Sequence, residues 1–76
     1  MKEIQIKLFT IQEVREFVSQ VVLVDFEVDL VQGRYIIDAK SIMGIFSLDL
    51  LAPIVVRAHT TAGDAFFESI AKFKAD

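Results

Sequence analysis

Four features of this chain carry residue types able to do chemistry: the hydroxyls of Thr10 and Ser41, the single histidine His59, and the carboxylate row Asp25, Glu27 and Asp29. His59 is the only histidine, the residue type most often used as a general base and a common zinc ligand. It sits on a run in which Val56, Ala58 and Thr60 should face a helix layer, which leaves Val55, Arg57 and His59 on the open side. No second ligand stands at a metal-binding spacing, so the expectation for His59 is a solvated strand residue, without metal or catalytic work. The three carboxylates, spaced i, i+2, i+4 on one strand face, could draw a hard cation. The commoner role of such a row is to stay solvated and keep an open sheet from associating edge to edge. Thr10 stands three residues before Glu13, the spacing of a capping box, and its expected role is a helix N-cap. No phosphate-cradling glycine loop, zinc spacing or nucleophile elbow is present, so the reading is non-enzymatic, with no cofactor.

The elements that must position these residues follow from periodicity. Ile4, Ile6 and Leu8 alternate with Glu3, Gln5 and Lys7, the period of a strand with one buried face. After Thr10, the residues Ile11, Val14, Phe17, Val18 and Val21 fall on one face of a first helix. Phe26, Val28 and Leu30 alternate with the three carboxylates, Gln32-Gly33 supplies a turn with positive φ, and Tyr35 and Ile37 resume the alternation, which predicts a β-hairpin. Ser41 opens a short helix through Ile42, Met43, Ile45, Phe46 and Leu50 that should stop near Pro53, because proline disfavours helix in the residue before it. Ile54 to Thr60 reads as a fourth strand, and after Gly63-Asp64 a last helix places Ala65, Phe66, Ile70 and Phe73 on one face. The string is βαββαβα. A polar face on every strand implies an antiparallel sheet covered by helices on one side, an α+β two-layer sandwich; a ferredoxin-like arrangement with an extra helix fits the same string.

Composition bounds the function. The 76 residues suffice for one domain, residues 1–76, burying roughly 60% of its unfolded surface. A net charge of −3 with eight scattered basic residues gives no footprint for phosphate backbones, so nucleic acid is not an expected partner. No apolar run approaches membrane-spanning length, and no membrane association is expected. The absence of cysteine removes disulfides and thiolate metal sites and, with no charged-then-apolar leader, gives the expectation of a cytoplasmic protein. Apolar residues reach 54% before the three glycines are counted, against roughly 45–50% with glycine in soluble domains. Val21-Val22-Leu23-Val24 places four apolar residues where a connection is usually polar, which points to a protein partner or a homodimer.

The segment Lys40-Ser41-Ile42-Met43-Gly44-Ile45-Phe46-Ser47-Leu48 resembles the regulatory-serine segment of the bacterial histidine-containing phosphocarrier (HPr) family of the phosphotransferase system. Read back from Ser41 without gaps, the Gln-Gly turn falls where that family has an Asn-Gly type turn, and Asp38-Ala39 falls in the approach to the serine. The resemblance implies an open-faced two-layer sandwich, a four-stranded antiparallel sheet with three helices on one face. In the same reading the family's active-site run His-Ala-Arg-Pro-Ala lands on Thr10-Ile11-Gln12-Glu13-Val14. The phosphorylated histidine is thus replaced by Thr10. A threonine hydroxyl is a poor nucleophile without a base, and its phosphate ester is too stable to pass the group on. Gln12 brings no positive charge, Glu13 repels phosphate, and Arg15, one turn on, compensates weakly. The connection into the first helix is also shorter than the family's active-site loop, and the turn before the last helix is trimmed.

What survives residue by residue is Ser41. In Gram-positive relatives this serine is phosphorylated by an ATP-dependent kinase, and the product acts with a transcription regulator; some relatives lack the histidine and keep only this role. The resemblance therefore implies a non-catalytic regulatory or adaptor protein whose partners are a serine kinase and a transcription regulator or transporter component. A phosphate on Ser41 would set about two negative charges against the positive end of the second helix, with Lys40 adjacent. Ile42, Met43 and Phe46 are the candidate partner-contact residues beside it, with a core role for Met43 and Phe46 as the alternative. Two other functions stay open: a phosphotransferase component using another acceptor, Thr10 or His59, and an interaction or assembly module without phosphorylation.

Overall fold

The computed structural model describes residues 2–75. Its elements are β1 (Lys2–Ile6), α1 (Ile11–Val21), β2 (Val28–Gln32), β3 (Tyr35–Asp38), α2 (Ile42–Phe46), β4 (Ile54–Ala58) and α3 (Asp64–Ser69), followed by a 3-10 turn at Ala71–Phe73. The strands form one antiparallel sheet in the order β1-β4-β2-β3. Alternate strand residues, Ile6, Val28, Leu30, Ile54, Val56 and Ala58, are buried in a single cluster with Val14, Phe17, Val21, Ile45, Phe66, Ile70 and Phe73 from the helical elements. The other sheet face carries Glu3, Asp29, Val31, Val55 and Arg57, none of them buried. One covered face and one open face make the α+β open-faced sandwich expected above.

The helix layer is held by large apolar side chains. Phe17 of α1 is fully buried and meets Phe73 edge to face, with ring centroids 6.2 Å apart. Burying such a side chain is worth roughly 1.5–3 kcal/mol, so this contact ties the C-terminal turn to α1. The hairpin turn is Gly33-Arg34, with Gln32 paired to Tyr35 and Gly33 at φ +59°, the conformation glycine adopts without steric cost in the first position of a type II′ turn.

Several boundaries differ from the periodicity. Leu8 is buried but lies beyond β1, β2 starts at Val28, and β4 ends at Ala58. Phe26 instead packs edge to face on Phe66, centroids 5.8 Å apart, in the approach to β2. Ile11 and Ala65, expected on buried helix faces, are exposed, each standing within the first two residues of its helix, while Val14 and Phe66 further in are the first to reach the core. Helix α2 stops at Phe46, short of Leu50. The Ser47 hydroxyl donates to the Gly44 carbonyl at 2.5 Å, and the Asp49 carboxylate takes the Leu51 N–H at 3.0 Å, so local side-chain bonds replace the next helical turn. The Gln32 side chain secures the resulting loop, accepting from the Asp49 N–H and donating to the Asp49 carbonyl, each at 2.8 Å.

Candidate functional site

Thr10 has extended backbone, φ −134° and ψ 161°, and its Oγ1 accepts the Glu13 N–H at 3.0 Å. The Glu13 carboxylate reaches back at 2.7 Å to the N–H of Phe9, one residue before the cap, where a standard capping box would return to the cap itself. Both side chains are thereby committed to starting α1. Arg15 is exposed and makes no ion pair among the described residues. Further along the same helix, Glu16 is paired with Lys72, whose hydrogen bond and positive charge hold the Glu16 carboxyl below the ordinary carboxylate range.

Ser41 occupies the same position on α2. Its Oγ accepts the Gly44 N–H at 3.0 Å, its own N–H donates to the Asp38 carbonyl at 3.0 Å, and the Asp38 carboxylate takes the Lys40 N–H at 2.9 Å. A Cβ on Gly44 would lie 3.1 Å from Ser41 Oγ and 3.3 Å from Ile37 Cδ1, so the glycine leaves room for the capping hydroxyl between the helix and β3. Ser41 itself is exposed. Of the helix it starts, only Ile45 is buried; Met43 is 80% exposed, Phe46 40% and Ile42 37%. An acceptor hydroxyl at a helix start, a neighbouring lysine and three uncovered apolar side chains are therefore gathered on one short element.

His59 is not simply solvated. Its Nε2 lies 2.6 Å from Asp29 Oδ2, and the Arg57 Nε donates to Glu3 at 2.6 Å, so the open face carries one cross-strand pair and a second pair just past the end of β4. Single-sequence spacing hides such pairs, because they depend on the strand order that sets β2 and β1 on either side of β4. Asp25 and Glu27 remain exposed. Among the described residues no three His, Cys, Asp or Glu side chains are grouped to hold a metal ion, and no helix is long and apolar enough to cross a membrane. In the apolar connection after α1, Val21 is buried and Val24 packs on the core, whereas Val22 and Leu23 are exposed. A groove of about 380 Å³ between β1 and α3 is lined by Ile4, Asp64, Phe67, Glu68, Ala71 and Lys74 and contains none of the candidate site residues.

No protein-family model matches the chain, and no curated protein does. Solved structures do. The crystal structure of HPr-C-His from Thermoanaerobacter tengcongensis superposes with a TM-score of 0.80 at 20% identity, covering 95% of this chain and 89% of that one. The fold is that of HPr. The phosphocarrier protein HPr from Bacillus anthracis gives a TM-score of 0.72 at 21% identity, covering 97% of this chain and 94% of that one. The HPr fold thus spans nearly the whole chain, and on it Thr10 caps α1 while Ser41 caps α2.

Proposed function

We propose that this chain is a non-catalytic regulatory or adaptor protein that works as one domain through protein contacts at α2, gated by phosphorylation of Ser41, and that it relays no phosphohistidine. The observation that carries this is the pairing of an exposed Ser41 hydroxyl with exposed Met43, Phe46 and Ile42 on the helix it caps. Thr10, at the position where the resemblance puts the phosphorylated histidine, is engaged as a cap and has no imidazole to accept a phosphoryl group. Added phosphate at Ser41 favours the helix that begins there, since its charge meets the α2 amides and Lys40. The phosphate is therefore read as a charged mark beside an apolar contact surface, with little change of fold. A serine kinase and a transcription regulator or transporter component are the partners of this reading, and the cysteine-free composition suits the cytoplasm.

The test is intact mass after incubation with ATP and an HPr serine kinase, and separately with phosphoenolpyruvate and the general phosphotransferase enzyme. A gain of about one phosphoryl group with ATP, lost in Ser41→Ala, is the expected result. A gain with phosphoenolpyruvate overturns the claim that the relay is absent. No gain in either arm leaves an unmodified interaction module, a reading that the exposed α2 side chains support on their own.

A further inference from the structure

The two edges of the sheet are finished differently. Along β1, the Lys7 N–H donates to the Phe73 carbonyl at 2.8 Å, the Ala75 N–H donates to the Gln5 carbonyl at 2.9 Å, and Lys74 bridges Ile6, so the C-terminal segment covers that edge. Along β3 no strand or segment is paired on the outer side among the described residues. The β3 edge has no proline, no lysine within the strand and no bulge, its register with β2 being fully regular; its guards are its four-residue length and Asp38. Ile36 is 60% exposed and Tyr35 64%.

The hydrogen-bond alternation of the hairpin determines which groups point outward. The Ala39 N–H donates to the Val28 carbonyl at 2.9 Å, which makes that pair, and with it Leu30–Ile37 and Gln32–Tyr35, the bonded pairs of the ladder. Ile36 therefore turns both backbone groups to the free edge and Asp38 its N–H, the Asp38 carbonyl already accepting the Ser41 N–H. Their side chains share the open sheet face with Asp29, which stands directly opposite Asp38. Two carboxylates facing each other across a ladder are unfavourable. Asp29 is hydrogen-bonded by His59 and the Asp38 carboxylate accepts the Lys40 N–H, but among the described residues neither Asp38 nor Arg34 has an ion-pair partner.

We infer that β3 pairs with β3 of a second copy of this chain, antiparallel about a two-fold axis through Ile36. In this register Ile36 faces Ile36 of the second copy and exchanges both backbone bonds with it. Arg34 faces Asp38 of the second copy at each end, and each outward Asp38 N–H meets the backbone beside Arg34. On the helix side Tyr35 covers Ile37 of the second copy. Shifting the register by two residues in one direction sets Arg34 against Lys40, and in the other leaves Asp38 without Arg34, so charge selects the register with Ile36 on the axis. Two four-residue strands bury well under the roughly 1,200 Å² of a stable interface, so the dimer forms reversibly with concentration. This edge meets the Ser41 site at Asp38, whose carbonyl accepts the Ser41 N–H and whose carboxylate accepts the Lys40 N–H, so Arg34→Asp is the variant that tests the pairing without touching that site.

Sedimentation analysis of the full chain over a concentration series tests it. The expected mass rises from 8.6 kDa towards twice that value as concentration increases. Arg34→Asp, in the exposed turn, should remain monomeric with an unchanged far-UV spectrum, because the introduced carboxylate then faces Asp38 of the second copy. Asp38→Arg should do the same, and an equimolar mixture of the two variants should dimerise again, since each supplies the charge the other lacks. Fluorescence of Tyr35, the sole tyrosine in a chain without tryptophan, should follow the same concentration dependence. A wild-type chain that stays monomeric throughout, a dimer that persists in Arg34→Asp, or a mixture that fails to recover would each overturn the inference.

Discussion

Asp29 of β2 and His59, the residue after β4, meet across the open sheet face, carboxylate oxygen to ring Nε2 at 2.6 Å, although neither is buried. The pair matters because Asp29 stands opposite Asp38. Removing the imidazole in His59→Ala leaves two facing carboxylates without that hydrogen-bond partner, and the expected loss is about 0.5 kcal/mol, the scale of an exposed cross-strand pair. A double-mutant cycle with Asp38→Asn, followed by urea unfolding, should show the His59 contribution shrinking when Asp38 loses its charge.

The two caps should cost similar amounts and differ in function. Thr10→Ala and Ser41→Ala each remove a hydroxyl that accepts an amide at 3.0 Å, and each should lower stability by about 1 kcal/mol in urea unfolding. Only Ser41→Ala should abolish labelling by ATP and the serine kinase, while Ser41→Asp should retain most of the lost stability, because aspartate caps helices as well as serine does.

Gly33 has open space around the position of a Cβ but a φ of +59°. Gly33→Ala should therefore destabilise the hairpin by roughly 1–2 kcal/mol through backbone strain alone. Gly33→Asn should cost less, since asparagine tolerates the left-handed region. Thermal unfolding of the two variants separates strain from crowding.

Glu16 gives a pH dependence with a definite sign. Its folded-state carboxyl titrates below the ordinary range because Lys72 donates a hydrogen bond and places a positive charge beside it. A carboxyl depressed in this way contributes stability that is present above its unfolded-state pKa and is lost as pH falls through the folded-state value. The stability gap between wild type and Glu16→Gln should therefore narrow on acidification, which urea unfolding at a series of pH values can follow.

The strand and helix string was legible because alternation and helical spacing are local. Ile4 and Ile6, Val28 and Leu30, and Val56 and Ala58 each announce a buried face within a few residues. The caps were legible too, since Thr10 and Ser41 act within three residues of themselves. Illegible features depend on strand order or on side chains replacing backbone. Arg57 meets Glu3, and His59 meets Asp29, only because β4 runs between β1 and β2. Gln32 holds Asp49 with a side-chain amide that mimics a strand, and this contact helps end α2 before Leu50; no periodicity encodes it. The exposure of Met43 and Phe46 was undecidable from spacing, because a five-residue helix has room to bury little besides Ile45.

The sealing of β1 by distant chain has a consequence for synthesis. Its strand partner is β4 and its other edge is closed by residues around Phe73 and Ala75, so nothing made soon after β1 can pair either of its edges. On a ribosome, Ile4, Ile6 and Leu8 emerge early and wait until most of the domain has followed. Such long-range closure makes folding slow relative to a helical bundle of the same length. The nascent first strand is therefore the segment for a chaperone to hold, and a fusion that delays release of the region after β4 prolongs its exposure.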